Sequence, residues 1–307
     1  MRHLQIRIAA LGLALVLPAL AMAQPASCDA SWTDASRGRA VPVRIRMPDG
    51  HGKAPVILFS HGLGGSLDGG TNWAEAWRAA GFVVVNLQHP GSDRSIITSG
   101  RIAAAMSPRQ LQARVQDASF VLDELGRRRR EGACDLTRAD LGHIGMSGHS
   151  FGAHTTLALA GQRLPMLGAE ADPRIKAAVA FSPAPPARDS DVRAFGAISM
   201  PVFSITGTED VAPVLPNVSA ADRERPFRAM PPGGKYLLVL EGANHMVFNE
   251  QDGLRGPAST ASPHVRRTVT EATTLFWRWT LLGDPAAKQR LDVLGAALPP
   301  GDKFERR

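Results

Sequence analysis

A strand predicted over residues 141–146 leads through Gly148-His149-Ser150-Phe151-Gly152 directly into an apolar helix predicted over 151–160. A strand that passes straight into a helix leaves the residue at the apex of a very tight turn with a strained backbone. Side chains two positions to either side would collide there, which accounts for glycine at 148 and 152. The turn lifts the Ser150 hydroxyl above the C-terminal edge of a sheet, where the first N–H groups and positive dipole end of the next helix face it. Five residues of this pattern are common by chance. Their position between a strand and a helix makes them informative.

The rest of the chain repeats the alternation. Residues 54–60 and 82–87 are continuous apolar runs of the kind buried on both faces of a sheet, whereas 41–47 alternates like a half-exposed strand. Further strands are predicted over 175–181, 202–206 and 236–240. Helices are predicted over 73–80, ended by Gly81, and over 108–126, with Leu111, Val115, Ala118, Val121 and Leu122 on one stripe. A closing helix is predicted over 265–282. This order implies an α/β architecture: a mostly parallel central sheet with helices on both faces. No internal repeat and no low-complexity linker divides the chain, so residues 24–307 are expected to form a single domain. The segment 183–200 between two core strands is too short for a large lid domain. Loops 88–107 and 211–234 are expected to wall the pocket, with Trp73, Trp77 and Met246 read either as apolar contacts there or as core.

A serine hydroxyl is a weak nucleophile at neutral pH until a positioned base takes its proton. On a sheet of this kind the partners follow in the chain order serine, acid, histidine. His245 lies in a loop after the strand 236–240 and is the expected base. Asp210, a short turn beyond the strand 202–206, is the expected acid, with adjacent Glu209 as the alternative. Two backbone N–H groups must meet the oxyanion: that of Phe151, after the nucleophile, and that of Leu63, in the Gly-rich stretch 60–65 that follows the strand 54–60. His61 comes too early in the chain to be the base and is read as a brace of that loop. His149 and His154 are read as packed or hydrogen-bonded neighbours of the turn, and His264 as a surface or helix-start residue.

FSHGLGG (59–65), AAGFVVVNLQHPGSD (79–93), GHSFG (148–152), GTED (207–210) and the Asn244-His245 pair together resemble α/β-hydrolases, specifically dienelactone-hydrolase-like proteins and, equally, the platelet-activating-factor acetylhydrolase branch. The resemblance extends from about residue 40 to about residue 280. It implies an α/β-hydrolase fold and a carboxylic-ester hydrolase that needs no cofactor or metal. Ser150, Asp210 and His245 would be its triad, and Leu63 and Phe151 its oxyanion donors. Two positions depart from the pattern. Dienelactone hydrolases carry a cysteine where this chain has Ser150, so lactone specificity does not carry over. His154 stands where relatives often have a small residue.

The N-terminus limits where such chemistry would operate. Residues 1–23 combine Arg2 and Arg7 with an apolar run over 8–17 and end in Ala21-Met22-Ala23, the pattern of a cleaved export signal. A periplasmic or secreted protein without a membrane anchor is therefore expected. Cys28 and Cys134 survive cleavage and are expected to pair in an oxidising compartment. The formal charge of +7 loses two arginines with the signal, yet neither interleaved aromatics nor a recognisable module points to nucleic acid. The basic run 127–130 reads as a solvated helix end. The partner expected is a small-molecule or polymer ester. The rival readings are an amidase or peptidase using the same three residues, and a non-catalytic binding protein on the same fold.

Overall fold

The computed structural model describes residues 27–99, 102–165, 167–249 and 261–307; the expected export signal, 1–23, lies outside them. The strands of its main sheet are β1 (Ser27–Asp34), β2 (Arg39–Arg46), β3 (Ala54–Ser60), β4 (Val83–Leu87), β5 (Ala139–His149), β6 (Ile175–Phe181), β7 (Val202–Glu209), β8 (Lys235–Asn244) and β9 (Lys303–Arg306). They form one nine-stranded sheet in the order β1-β2-β4-β3-β5-β6-β7-β8-β9. From β4 across to β8 every pairing is parallel. Only β1, β2 and β9 enter antiparallel, at the two margins.

The larger helices are α1 (Thr71–Ala79), α2 (Pro108–Arg127), α3 (Phe151–Leu159), α4 (Pro263–Leu282) and α5 (Pro285–Asp292). Successive residues of a strand point to opposite faces, and β3 shows the consequence. Ile57 and Phe59 join Trp73, Trp77, Phe276 and Trp277 from α1 and α4. Val56 and Leu58 join Val115, Val121 and Leu122 from α2 on the other face. The α3 residues Ala153 and Leu157 pack on Ala178 and Ala180 of β6. Helices thus cover both faces; β3 and β4 are buried throughout and the other parallel strands over most of their length.

Trp73 and Trp77 belong to this core. Both are fully buried, and their indole N–H groups donate to Phe248 O at 3.0 Å and Thr273 Oγ1 at 2.9 Å. The pocket role considered for them is set aside, while Met246 is half-buried beside His245.

The helix 263–282 does not close the chain. Asp284 caps α5 by accepting the N–H groups of Ala286 and Ala287 at 3.0 Å each, and β9 then adds an edge to β8. His264 stands in the first turn of α4 and donates from Nε2 to Asp302 Oδ2 at 2.6 Å, tying the helix start to the C-terminal segment. Cys28 of β1 and Cys134 form a disulfide. Arg127 and Arg128, from the basic run, pair with Glu124 at 2.7 Å.

Candidate active site

Ser150 sits between β5 and α3 with φ 56° and ψ −113°, a left-handed backbone that a residue with a side chain rarely adopts. Its N–H donates to Phe181 O at 2.9 Å, and its carbonyl accepts the N–H of Ala153 at 2.9 Å. The flanking glycines are forced. A Cβ on Gly152 would land on the carbonyl oxygen of Ser60, and one on Gly148 would come within 2.7 Å of the same atom.

The imidazole of His245 lies against this serine. The Ser150 hydroxyl donates to His245 Nε2 at 2.9 Å, and His245 Nδ1–H donates to Asp210 Oδ1 at 2.7 Å. The acceptor on Nδ1 is a carboxylate, which fixes the tautomer and leaves Nε2 free to receive a proton. His245 opens a single turn, His245–Phe248, capped by Asn244, whose side chain accepts the Met246 N–H at 3.0 Å. Gly207 lets the loops that carry Asp210 and His245 meet, because a Cβ there would stand 2.5 Å from Ala243 Cβ. Sequence residues far apart are thereby brought to one sheet edge.

Asp210 has no solvent exposure. Its second oxygen accepts Thr206 Oγ1 at 2.7 Å, and Arg223 Nε lies 3.3 Å from Oδ1. Burial alone would raise its pKa. The hydrogen bond from His245 and the charges of His245 and Arg223 outweigh that and bring the carboxyl down to about 2. Glu209, the alternative acid, is exposed, and the imidazole meets its neighbour instead.

The loop after β3 passes over the serine: a Cβ on Gly62 would be 3.5 Å from Ser150 Cβ. Gly64 N–H donates to Ser92 O at 2.9 Å and Gly65 N–H to Gly62 O at 3.1 Å. The N–H groups of Leu63 and Phe151 meet no acceptor among the described residues. His61 braces the loop as expected of it: Nδ1 donates to Gly62 O at 2.6 Å, and Nε2 accepts the His89 N–H at 3.0 Å. Burial and the charge of Arg114 hold its pKa well below the ordinary histidine value.

His149 is likewise buried and hydrogen-bonded, donating from Nε2 to His245 O at 2.8 Å. His154 is half-buried on α3 with its ring 6.3 Å from that of Phe151. Among the described residues no group of three or more His, Cys, Asp or Glu side chains is arranged to hold a metal ion.

Beneath the loop lies a group that sequence reasoning did not assemble. His89 Nδ1 donates to Asp117 Oδ2 at 3.0 Å, and His89 Nε2 accepts the Ser60 hydroxyl at 2.9 Å. This second Ser-His-Asp chain has no exposed member. It ties β3 to the loop after β4 and to α2. Burial pushes His89 down to about 4, so the ring stays neutral. Asp117 also accepts Arg39 at 2.7 Å and Arg37 at 2.9 Å. The one signal for it was His89 within the 79–93 stretch, with nothing in sequence to pair it with Asp117 or Ser60.

No protein-family model matches the chain, and no curated protein matches it. Among solved structures it is similar to a ferulic acid esterase from Streptomyces cinnamoneus, with 18% identity and a TM-score of 0.62 over 93% of this chain and 99% of that one. The architecture is the α/β-hydrolase fold. At this identity the likeness concerns the path of the chain, and within that fold the sheet edge carrying Ser150 is where the polar side chains converge.

Proposed function

We propose that this chain is a serine hydrolase of carboxylic esters, with Ser150 as nucleophile, His245 as base, Asp210 as the acid behind it, and the Leu63 and Phe151 N–H groups as oxyanion donors. One observation carries the reading: an unbroken hydrogen-bond chain runs from the Ser150 hydroxyl through His245 to Asp210, at 2.9 and 2.7 Å, on a serine held at positive φ.

In the proposed cycle Ser150 Oγ attacks the ester carbonyl while its proton passes to His245 Nε2. Asp210, kept ionised by its surroundings, stabilises the imidazolium. The negative charge on the former carbonyl oxygen falls to the two backbone donors, each worth roughly 10²–10³ in turnover. Collapse expels the alcohol, which takes the proton from His245. Water then repeats the sequence on the acyl-enzyme.

The neighbour of similar fold is described as an esterase, which agrees with ester rather than amide cleavage. The segment between β6 and β7 holds only the short helix Asp191–Phe195, which favours short or accessible acyl esters over substrates taken under a lid. The dienelactone-hydrolase-like and acetylhydrolase branch is the finer assignment suggested by the motifs. Export is proposed from residues 1–23, and the Cys28–Cys134 disulfide accords with an oxidising compartment.

The test is covalent labelling with a fluorophosphonate probe alongside hydrolysis of p-nitrophenyl acetate and of a matching anilide. Wild-type protein is expected to be labelled and to cleave the ester in preference, and Ser150→Ala to lose both activities. Labelling that survives Ser150→Ala overturns the assignment.

A further inference from the structure

Arg114, on α2, reaches across to the oxyanion loop with a hydrogen bond from each of its three guanidinium nitrogens, and it has no exposure to solvent. Its Nε donates to Thr155 Oγ1 at 3.0 Å, and that hydroxyl donates in turn to Phe151 O at 3.1 Å. Its Nη1 donates to Ser92 Oγ at 2.8 Å, and the carbonyl of Ser92 holds the Gly64 N–H at 2.9 Å. Its Nη2 donates to Ser60 Oγ at 2.9 Å and to the carbonyl of His61. The guanidinium also covers the Phe151 ring, 4.6 Å from its centroid. One side chain therefore grips both segments that carry the unpaired N–H groups of Leu63 and Phe151. All its acceptors are neutral, and among the described residues it forms no ion pair, so its charge is uncompensated at contact distance.

We propose that Arg114 is the positioning residue of the oxyanion hole, fixing the Leu63 and Phe151 donors in one geometry and placing a buried positive charge beneath the point where the oxyanion forms. The inference rests on the hydrolase reading above. Its chemistry is specific. A planar fork with five donors can serve three separated acceptor groups at once, which an ammonium cannot do in the same place. A donor displaced by a fraction of an ångström no longer meets the developing charge, so the loss falls on the chemical step rather than on substrate binding.

The test is steady-state kinetics of Arg114→Met and Arg114→Lys on p-nitrophenyl acetate, with active sites counted by fluorophosphonate titration. For Arg114→Met, kcat per titrated site is expected to fall about 10- to 100-fold with KM within about twofold, and the affinity for a boronic acid transition-state analogue to fall by a similar factor. Arg114→Lys, which restores the charge without the fork, is expected to recover only part of this. If Arg114→Met fails to fold, Thr155→Val decides, because it cuts the arm to Phe151 while keeping side-chain volume; a kcat loss of about 3- to 10-fold with unchanged KM is expected. A variant that folds with kcat per site unchanged, or with the loss confined to KM, overturns the role of Arg114 while labelling of wild type keeps the hydrolase reading intact. Wild type that neither labels nor turns over overturns both.

Discussion

The Nε of Arg223 lies 3.3 Å from Oδ1 of Asp210, with both side chains fully buried, so a cation stands beside the same oxygen of the proposed catalytic acid that accepts His245 Nδ1–H. The same guanidinium donates to Asp210 O at 3.2 Å and to Ser182 O at 3.0 Å, which fixes it to two neighbouring loops. Among the described residues Asp210 therefore faces His245, Thr206, Ser182 and Arg223, and no acidic side chain is paired with it.

This arrangement sets a pH window for stability. The carboxyl titrates near 3.8 when unfolded and at about 2 when folded. A depressed acid contributes stability that is complete above its unfolded value and is lost as pH falls through its folded value. The difference is worth roughly 2 kcal/mol. The melting temperature of wild type relative to Asp210→Asn is therefore expected to hold constant from pH 7 to about pH 4 and to shrink toward pH 2. In Arg223→Met the shrinkage should begin at higher pH. Thermal melts across that range check it, and a gap that is indifferent to pH below 4 would show that Asp210 is not held ionised in this way.

Gly207 controls whether the proposed acid and base can meet. A Cβ added there would stand 2.5 Å from Ala243 Cβ and overlap the Ala243 carbonyl. Gly207→Ala must then push the ends of β7 and β8 apart, and these ends carry Asp210 and His245. Overpacking of this kind typically costs about 1–3 kcal/mol. Turnover is expected to fall further than stability, by roughly 10²-fold, because misplacing a catalytic group by about an ångström has that effect. Activity per folded molecule, with folding followed by circular dichroism, separates the two.

Much of the fold and of the candidate site is legible in the sequence. The stretches 54–60, 82–87 and 177–181 are almost wholly apolar because parallel strands are buried on both faces. The order of Ser150, Asp210 and His245 along the chain follows from the sheet edge they share. The margins were not legible. In β1, SCDASWTD buries only Cys28 and Trp32 on its inner side, and β9 is KFER; edge strands exposed to water carry charges and lose the apolar signal. The groups around Arg114 and Arg223 were invisible for another reason. Their partners lie tens of residues away, and no local period or motif marks a hydrogen bond between distant loops.

The edge strand β1 is held by β2 on one side and by the disulfide. Cys28 and Cys134 are 106 residues apart in sequence, and closing a loop of that length is worth about 4–5 kcal/mol in chain-entropy terms. The double variant Cys28→Ala/Cys134→Ala is expected to lose a large part of that, read as a lower guanidinium midpoint with a steeper slope, because the unfolded chain without the cross-link is less compact. Wild type under a reductant should move to the same midpoint. Neither cysteine is among the residues at Ser150, so kcat of the folded variant should match wild type.

His149 offers a test of how the proposed base is held. Its Nε2–H donates to the carbonyl of His245 at 2.8 Å, and the two rings lie 4.7 Å apart. The bond fixes the backbone that aims the imidazole at Ser150. Burial, followed by the neighbouring His245, holds the pKa of His149 well below the ordinary histidine value, so the ring stays neutral wherever the protein is folded and working. His149→Phe keeps an aromatic ring but leaves the His245 carbonyl without its donor, an omission that costs about 1–3 kcal/mol when buried. A kcat loss of roughly tenfold is expected, with partial recovery in His149→Gln, whose amide can donate in its place. Because the donor is a neutral ring, the ratio of wild-type to variant kcat should be flat between pH 5 and 8. A ratio that climbs through that range would mean His149 itself gains or loses a proton during turnover, and its part in the site would then be chemical rather than positional.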